Sequence, residues 1–270
     1  MSTPAVPSSL SAFVNTFGRI VVLSPHMDDA ILSCGGLLKH FLPTVPCTTL
    51  TVCTADPDDV NPASPPHGIA LPASRRREEV EAMRALGCHL EQLGLLDAIY
   101  RRDAKTGQLL YPTLDHLWCM PVGEDEWQRT ALAAHLKQYT AAADPHRPTL
   151  FLAPCGIGHH VDHILCTQTL LSLLPDGQSL LLYEDFPYVV DQGAHVGVAD
   201  TAEKALARLN VSGVERWTLE CDVDEKIAMI DFYPSQIDPI FGSRDSMRPM
   251  LLKNAGQGRT AERFWRIRKN

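Results

Sequence analysis

Ile20-Val21-Val22-Leu23-Ser24-Pro25-His26-Met27-Asp28-Asp29 is the stretch whose reading decides the fold. Four apolar residues, three of them β-branched, run without interruption and stop at Ser24-Pro25. A strand buried on both faces of a parallel sheet has this pattern. Asp28 to Phe41 then reads as a helix with Ile31, Leu32, Leu37, Leu38 and Phe41 clustered on one side. Gly35-Gly36 lowers its helix propensity, and a close approach of this helix to the first strand would account for the pair. His26, Asp28 and Asp29 thus fall at the carboxyl end of a strand, where open α/β sheets bind ligands.

Outward from that point, strand and helix alternate. Thr48 to Cys53 is a second strand, followed by a proline-rich surface loop, Asp56 to Pro72, with an acidic cluster at Asp56, Asp58 and Asp59. A helix starts near Ser74 and ends before Gly87. His89 to Leu96 is a third strand. Residues 97–148 lack a clear period until an amphipathic helix over Asp125 to Ala143, and a connection this long has the character of an insertion or lid. Thr149 to Ala153 is a fourth buried strand, and Ser179 to Tyr183 a fifth. Beyond it come a short helix at 201–209, a strand at Arg216 to Cys221 and a helix from Asp224 to Tyr233. The tail from residue 244 is basic and reads as a solvated or subunit-facing surface. The expected class is α/β, a mainly parallel sheet with helices on both faces. It forms a single domain over 1–270, with a loose leader at 1–12, the 97–148 insertion and a C-terminal extension at 201–270 packed on the domain.

The fourth strand also ends in a polar cluster, Gly158-His159-His160-Val161-Asp162-His163. Neighbouring strands at the switch point of a doubly wound sheet would bring the two clusters together. His26, Asp29 and His163 then form a candidate metal site of two imidazoles and one carboxylate. That set suits catalytic zinc, and equally ferrous iron or another divalent metal. Asp28, beside a ligand, can act as general base, and His160 can donate to a developing oxyanion or leaving amine. Asp162 can orient an imidazole from behind. Taken singly, each of these residues has a dull explanation as a helix cap or surface group; two such clusters at two strand ends make coincidence the weaker reading.

Composition restricts the alternatives. The formal net charge of -8 argues against a nucleic-acid-binding surface. No basic, apolar leader opens the chain, and no apolar run approaches the roughly 20 residues of a membrane span. A cytoplasmic location is expected, with oligomeric state left open, including a homo-oligomer. None of the 8 cysteines forms a C-x-x-C pair, so reduced buried thiols are expected. Cys34 and Cys155 lie close enough in sequence to the site to touch a metal.

The segment Ser24-Pro25-His26-Met27-Asp28-Asp29 with Gly35-Gly36, joined to Gly158-x-His160-x-Asp162-His163, resembles the LmbE-like (PIG-L) N-acetylglucosaminyl deacetylase family. Weaker echoes span most of the chain: Arg75-x-x-Glu78, Tyr183-Glu184-Asp185-x-Pro187-Tyr188, Lys226 through Tyr233-x-Ser235-Gln236, and Ala261-Glu262-x-Phe264. The resemblance implies a Rossmann-like fold, with zinc held at His26, Asp29 and His163 and Asp28 as general base. It also implies that His160 assists the oxyanion or leaving group and that Arg75 contacts substrate. The implied reaction is hydrolysis of the N-acetyl group of an N-acetylglucosamine-type sugar or sugar conjugate, a small-molecule substrate. Met27 stands where the family has a second proline and Ala30 where it has glutamate. These departures point to a branch with its own substrate, such as an acylated glycolipid, glycopeptide or aminoglycoside precursor. A metal-bearing sugar-binding module without catalysis would need neither Asp28 nor His160. Arg76 and Arg77 are expected to be solvated, while Tyr183, Glu184 and Asp185 are evenly placed between pocket wall and structural role. His67, His116, His146 and His195 receive no role.

Overall fold

β1 (Arg19–Ser24) lies in a seven-stranded sheet of order β3-β2-β1-β4-β5-β7-β6. A computed structural model describes residues 6–58, 70–140, 148–176, 178–191, 200–211, 213–253 and 258–268. β2 (Cys47–Cys53), β3 (His89–Leu95), β4 (Thr149–Pro154) and β5 (Ser179–Tyr183) run parallel to β1, giving the mainly parallel α/β sheet that the apolar runs predict. β1 pairs with β2 on one side (Val22 against Thr49) and with β4 on the other (Val22 against Leu152). The chain therefore reverses its direction of travel across the sheet between β1 and β4, and both polar clusters follow the two strands that flank this point.

Alternation along β1 explains its continuous hydrophobicity. Ile20 and Val22 enter a core shared with α1 (Ser8–Val14), α2 (Asp29–Phe41), α3 (Pro72–Leu86) and the C-terminal helices. Val21 and Leu23 enter the opposite core, with α4 (Glu126–Thr140) and α5 (Val161–Leu173). Successive side chains point to opposite faces, so a strand covered on both sides has no position for a polar residue. α6 (Tyr188–Asp191) follows β5, and α7 (Ala202–Arg208) closes the second face.

Several elements depart from the sequence expectation. Residues 8–12, expected within a loose leader, belong with residues 13 and 14 to α1, because Leu10 and Val14 lie one turn apart and are both fully buried. The expected strand at 216–221 extends over Gly213–Asp222 as β6. The helix expected to run to Tyr233 ends sooner, as α8 (Val223–Ile230), and a separate α9 (Pro234–Phe241) begins at the proline. The basic tail is only partly a solvated surface: Arg244, Arg248 and Lys253 are exposed, while the remainder is built into the fold. It forms α10 (Arg244–Leu252) and then β7 (Arg259–Arg268), an interior strand antiparallel to both β5 and β6. Its charged residues are accommodated individually: the Arg266 guanidinium lies 4.6 Å from the Phe13 ring centroid, and Glu262 is buried against Lys226.

That buried pair also explains Gly35-Gly36. Lys226 on α8 donates to the Ile31 carbonyl (2.8 Å) and to Glu262, whose two oxygens accept the amides of Gly36 (2.7 Å) and Leu37 (2.9 Å). A Cβ on residue 36 would fall on the Cys221 sulfur of β6. The close approach is therefore to β6, β7 and α8, not to the first strand as the sequence suggests. Lys226 and Glu262 belong to two of the family echoes, and the fold joins them under the helix that carries Asp29.

Candidate active site

The loop after β1 is tied by its own polar groups. Ser24 donates to the His26 carbonyl (2.6 Å) and accepts the Ala30 amide (3.1 Å), while the His26 amide donates to Asp29 Oδ2 (2.8 Å). These bonds start α2 at Asp29 and turn His26, Asp28 and Asp29 towards one cavity of about 480 Å³. On the neighbouring strand end, Gly158 has φ +82° and packs so closely on Tyr188 that a Cβ would sit 2.9 Å from the ring. Only glycine meets both demands at low cost. His160 then caps α5, its Nδ1 accepting the Asp162 amide at 3.2 Å.

The two clusters meet. His26 Nδ1 lies 3.2 Å from Asp29 Oδ2, and His163 Nε2 lies 3.3 Å from the same oxygen. The His26 and His163 ring centroids are 5.4 Å apart, and the ligand atoms of His26, His160 and His163 all fall within 4.8 Å of one another. His163 Nε2 is buried without a hydrogen-bond partner among the described residues. A buried nitrogen facing a carboxylate and a second imidazole is the donor set a divalent metal requires, so the residues fit one. Each imidazole is held from behind by a carboxylate. His26 Nε2 donates to Asp162 Oδ2 (3.1 Å), and His163 Nδ1 to Asp185 Oδ1 (2.6 Å). Carboxylate–histidine pairs of this kind fix the tautomer and the ring orientation of metal ligands. Asp162 thus orients the distant His26 rather than the adjacent His163, and Asp185, evenly placed by the sequence between pocket wall and structural role, lies behind His163 and does not line the cavity.

Asp28 lies beside this set, its Oδ1 3.3 Å from Arg75 Nη2. Burial pushes the Asp28 carboxyl up, and Arg75 partly offsets it. Burial, reinforced by His26, holds His160 well below the usual imidazole range and therefore neutral. With Nδ1 accepting a backbone amide, the proton of neutral His160 resides on Nε2. Arg75 lines the same cavity. Arg76 is not simply solvated, since it donates to the Thr54 carbonyl and pairs with Asp56 (2.6 Å each), which commits Asp56 to structure. Arg77 is exposed beside Ser74.

Sequence reasoning missed part of the cavity wall. Asp97, Trp118, Tyr188 and Gln236 all line it. Trp118 comes from the 97–148 segment and stands edge-on to His160 and Tyr188, at 5.1 and 5.2 Å between centroids. Nothing in that aperiodic segment marks Trp118, whereas Tyr188 was visible in the echo after β5. Glu184 turns away to Arg216 and Trp265, and Tyr183 donates to the Leu23 carbonyl in the core. The cysteines are free thiols, all buried except Cys119, and Cys34 and Cys155 do not join the metal-donor groups found among the described residues. Cys53 does approach His26 and Asp162, but burial holds its thiol well above the ordinary range, in the form that ligates poorly. Asp59, His67, His146 and His195 lie outside the described residues.

One turn beyond Arg75, Glu79 is fully buried and accepts hydrogen bonds from Thr51 and Gln92. Burial pushes its carboxyl up to about 8 in spite of those bonds. The unfolded chain releases this proton near pH ~4.3. Between the two values the folded chain holds a proton that the unfolded chain lacks, so this group's contribution to stability falls as pH rises. Urea unfolding of wild type and Glu79→Gln at pH 5, 6.5 and 8 should show the variant gaining on wild type, by at most about 1.4 kcal/mol per pH unit. A difference that stays constant with pH would contradict this.

Residues 21–174 match the GlcNAc-PI de-N-acetylase (PIG-L) family. A 2'-N-acetylparomamine deacetylase of Streptomyces fradiae is 31% identical over 256 residues, 92% of this chain and 81% of that protein. One from Niallia circulans is 32% identical over 187 residues, 62% of this chain and 66% of that protein. Among solved structures, the zinc-inhibited form of teicoplanin deacetylase Orf2 superposes with a TM-score of 0.68 at 21% identity, over 93% of this chain and 98% of the other. The A40926 pseudoaglycone deacetylase Dbv21 superposes with a TM-score of 0.63 at 23% identity, over 94% and 98%. Both structures share the fold. No helix among the described residues is long and apolar enough to cross a membrane.

Proposed function

The chain belongs to the PIG-L family of de-N-acetylases and is an amidohydrolase, and on that premise we propose that it removes the N-acetyl group from an acetylated amino sugar of the aminoglycoside-precursor type. The observation that carries this reading is the convergence of His26 Nδ1, Asp29 Oδ2 and buried His163 Nε2 beside a cavity that His26, Asp28, Asp29 and His160 line. The names of the relatives, both N-acetylparomamine deacetylases, support the substrate class.

His26, Asp29 and His163 would hold a divalent metal, and zinc is one that this donor set fits. Such an ion is a Lewis acid that polarises an amide carbonyl and makes water easier to deprotonate. Asp28 faces Arg75 through Oδ1, which keeps the other oxygen for the proton of the attacking water. A carboxylate so placed can take up that proton. Neutral His160, with its proton on Nε2, donates a hydrogen bond to the carbonyl oxygen as negative charge builds there, and the proton taken up by Asp28 passes on to the departing nitrogen. Arg75 holds Asp28 in place and presents a cation to a substrate oxygen. Trp118 and Tyr188 offer aromatic faces and edges to the sugar.

The test is amine release from a panel comprising an N-acetylated aminoglycoside precursor, N-acetylglucosamine and an N-acylated glycolipid, alongside metal analysis of the purified protein. Turnover of the aminoglycoside precursor at least tenfold above the other two in kcat/KM is the expected result. Release from none of the three by metal-loaded protein would overturn the proposal.

A further inference from the structure

The 97–148 segment contributes a buried cation that the reaction outlined above does not use. Arg101 is fully buried between two carboxylates: it pairs with Asp125 Oδ2 at 2.5 Å through one terminal nitrogen and with Asp162 Oδ1 through the other. The Tyr111 ring lies 5.3 Å from the guanidinium carbon, and its hydroxyl donates to the same Asp125 oxygen at 3.0 Å. On its other side Asp162 is fully committed. Oδ2 accepts His26 Nε2 and the Ala98 amide, both at 3.1 Å. We infer that Arg101 is a positioning residue for His26, acting through Asp162, and that it locks the segment walling the cavity to the metal-ligand set; the inference rests on the assignment of His26 as a ligand.

The geometry supports this in two steps. A carboxylate with one oxygen held by a planar guanidinium and the other receiving two N–H donors cannot rotate, because rotation breaks charge-assisted bonds in a dry site. An immobile Asp162 Oδ2 keeps the proton on His26 Nε2 and leaves the Nδ1 lone pair directed towards Asp29 Oδ2 and His163 Nε2. The same guanidinium binds Asp125, immediately before α4. Between Arg101 and Asp125 the chain carries Leu114, Leu117 and Trp118 of the cavity wall. One charge therefore anchors both ends of the wall and the back of a ligand.

The test is the zinc affinity of metal-free protein, by competition with a chromophoric chelator, in wild type, Arg101→Met, Arg101→Lys and Asp125→Asn. Near-UV circular dichroism reports how much of each variant is folded. The sign of the change is diagnostic. Removing a positive charge should by itself tighten binding of a cation, whereas losing the orientation of His26 should loosen it. The expected result is a dissociation constant weaker by about 10–100-fold in folded Arg101→Met. Arg101→Lys keeps the charge without the fork and should fall between that variant and wild type. Asp125→Asn, which leaves the Asp162 contact intact, should stay within about threefold. Where Arg101→Met does not fold, Arg101→Lys decides. Wild-type or tighter affinity in the folded Arg101 variants overturns the inference alone. Wild-type protein that binds no zinc overturns the metal reading and the inference with it.

Discussion

Asp28→Asn is expected to lower kcat by about 10²–10⁴-fold, the range that general-base catalysis contributes. The variant should keep its metal and its thermal midpoint. The amide is isosteric with the carboxylate and can still meet Arg75 across the 3.3 Å gap, but it cannot accept a proton from water. Asp28 lies outside the group of His26 Nδ1, Asp29 Oδ2 and His163 Nε2, so removing its charge leaves the donor atoms in place. Steady-state amine release, measured together with metal content per chain after desalting, separates the two effects. More than half of wild-type kcat in a metal-replete Asp28→Asn would exclude this residue as the base. Low metal content would instead place Asp28 among the ligands.

Lys226→Met should be the most damaging change far from the cavity. It strands the Glu262 carboxylate in a buried position, where removing one partner of an ion pair costs about 3–5 kcal/mol. At roughly 2–4 °C per kcal/mol for a chain of this size, the midpoint should fall by about 6–20 °C. The Ile31 carbonyl loses its donor as well, and Ile31 lies in the first turns of the helix that carries Asp29. Pairing Lys226→Met with Glu262→Gln should recover part of the loss, because the stranded charge is gone while an amide oxygen can still accept one of the α2 amides. Calorimetry of both variants checks this. A single variant within 2 °C of wild type would mean that the pair is solvated in the native protein.

What the sequence makes legible follows from how each feature is encoded. β1 and β4 are buried on both faces, so each is an unbroken apolar run, and the residues after them are read directly as the contents of one sheet edge. His26, Asp29, His160 and His163 were found in this way. β7 was hidden because its core positions alternate with arginines and include the paired Glu262, so its mean hydropathy resembles that of a surface segment. Asp185 stood in a visible position, yet only its 2.6 Å contact with His163 reveals its partner. Arg101 beside Arg102 looks like part of a solvated loop. Its burial depends on Asp125 and Asp162, 24 and 61 residues away, and no local period records such a pairing. The turns around Trp118 are too short to establish a repeat.

The place of β7 has a consequence for biosynthesis. β6 is translated before β7 but reaches the rest of the sheet only through it, because β7 fills the gap between β6 and β5. While the polypeptide emerges, residues 213–222 have no partner strand among the described residues until residues 259–268 follow them out. Lys226, beneath α2, likewise waits for the Glu262 carboxylate. Closure of the sheet thus waits for residues 259–268, and a chain released before they are made would have an unpaired margin along β5.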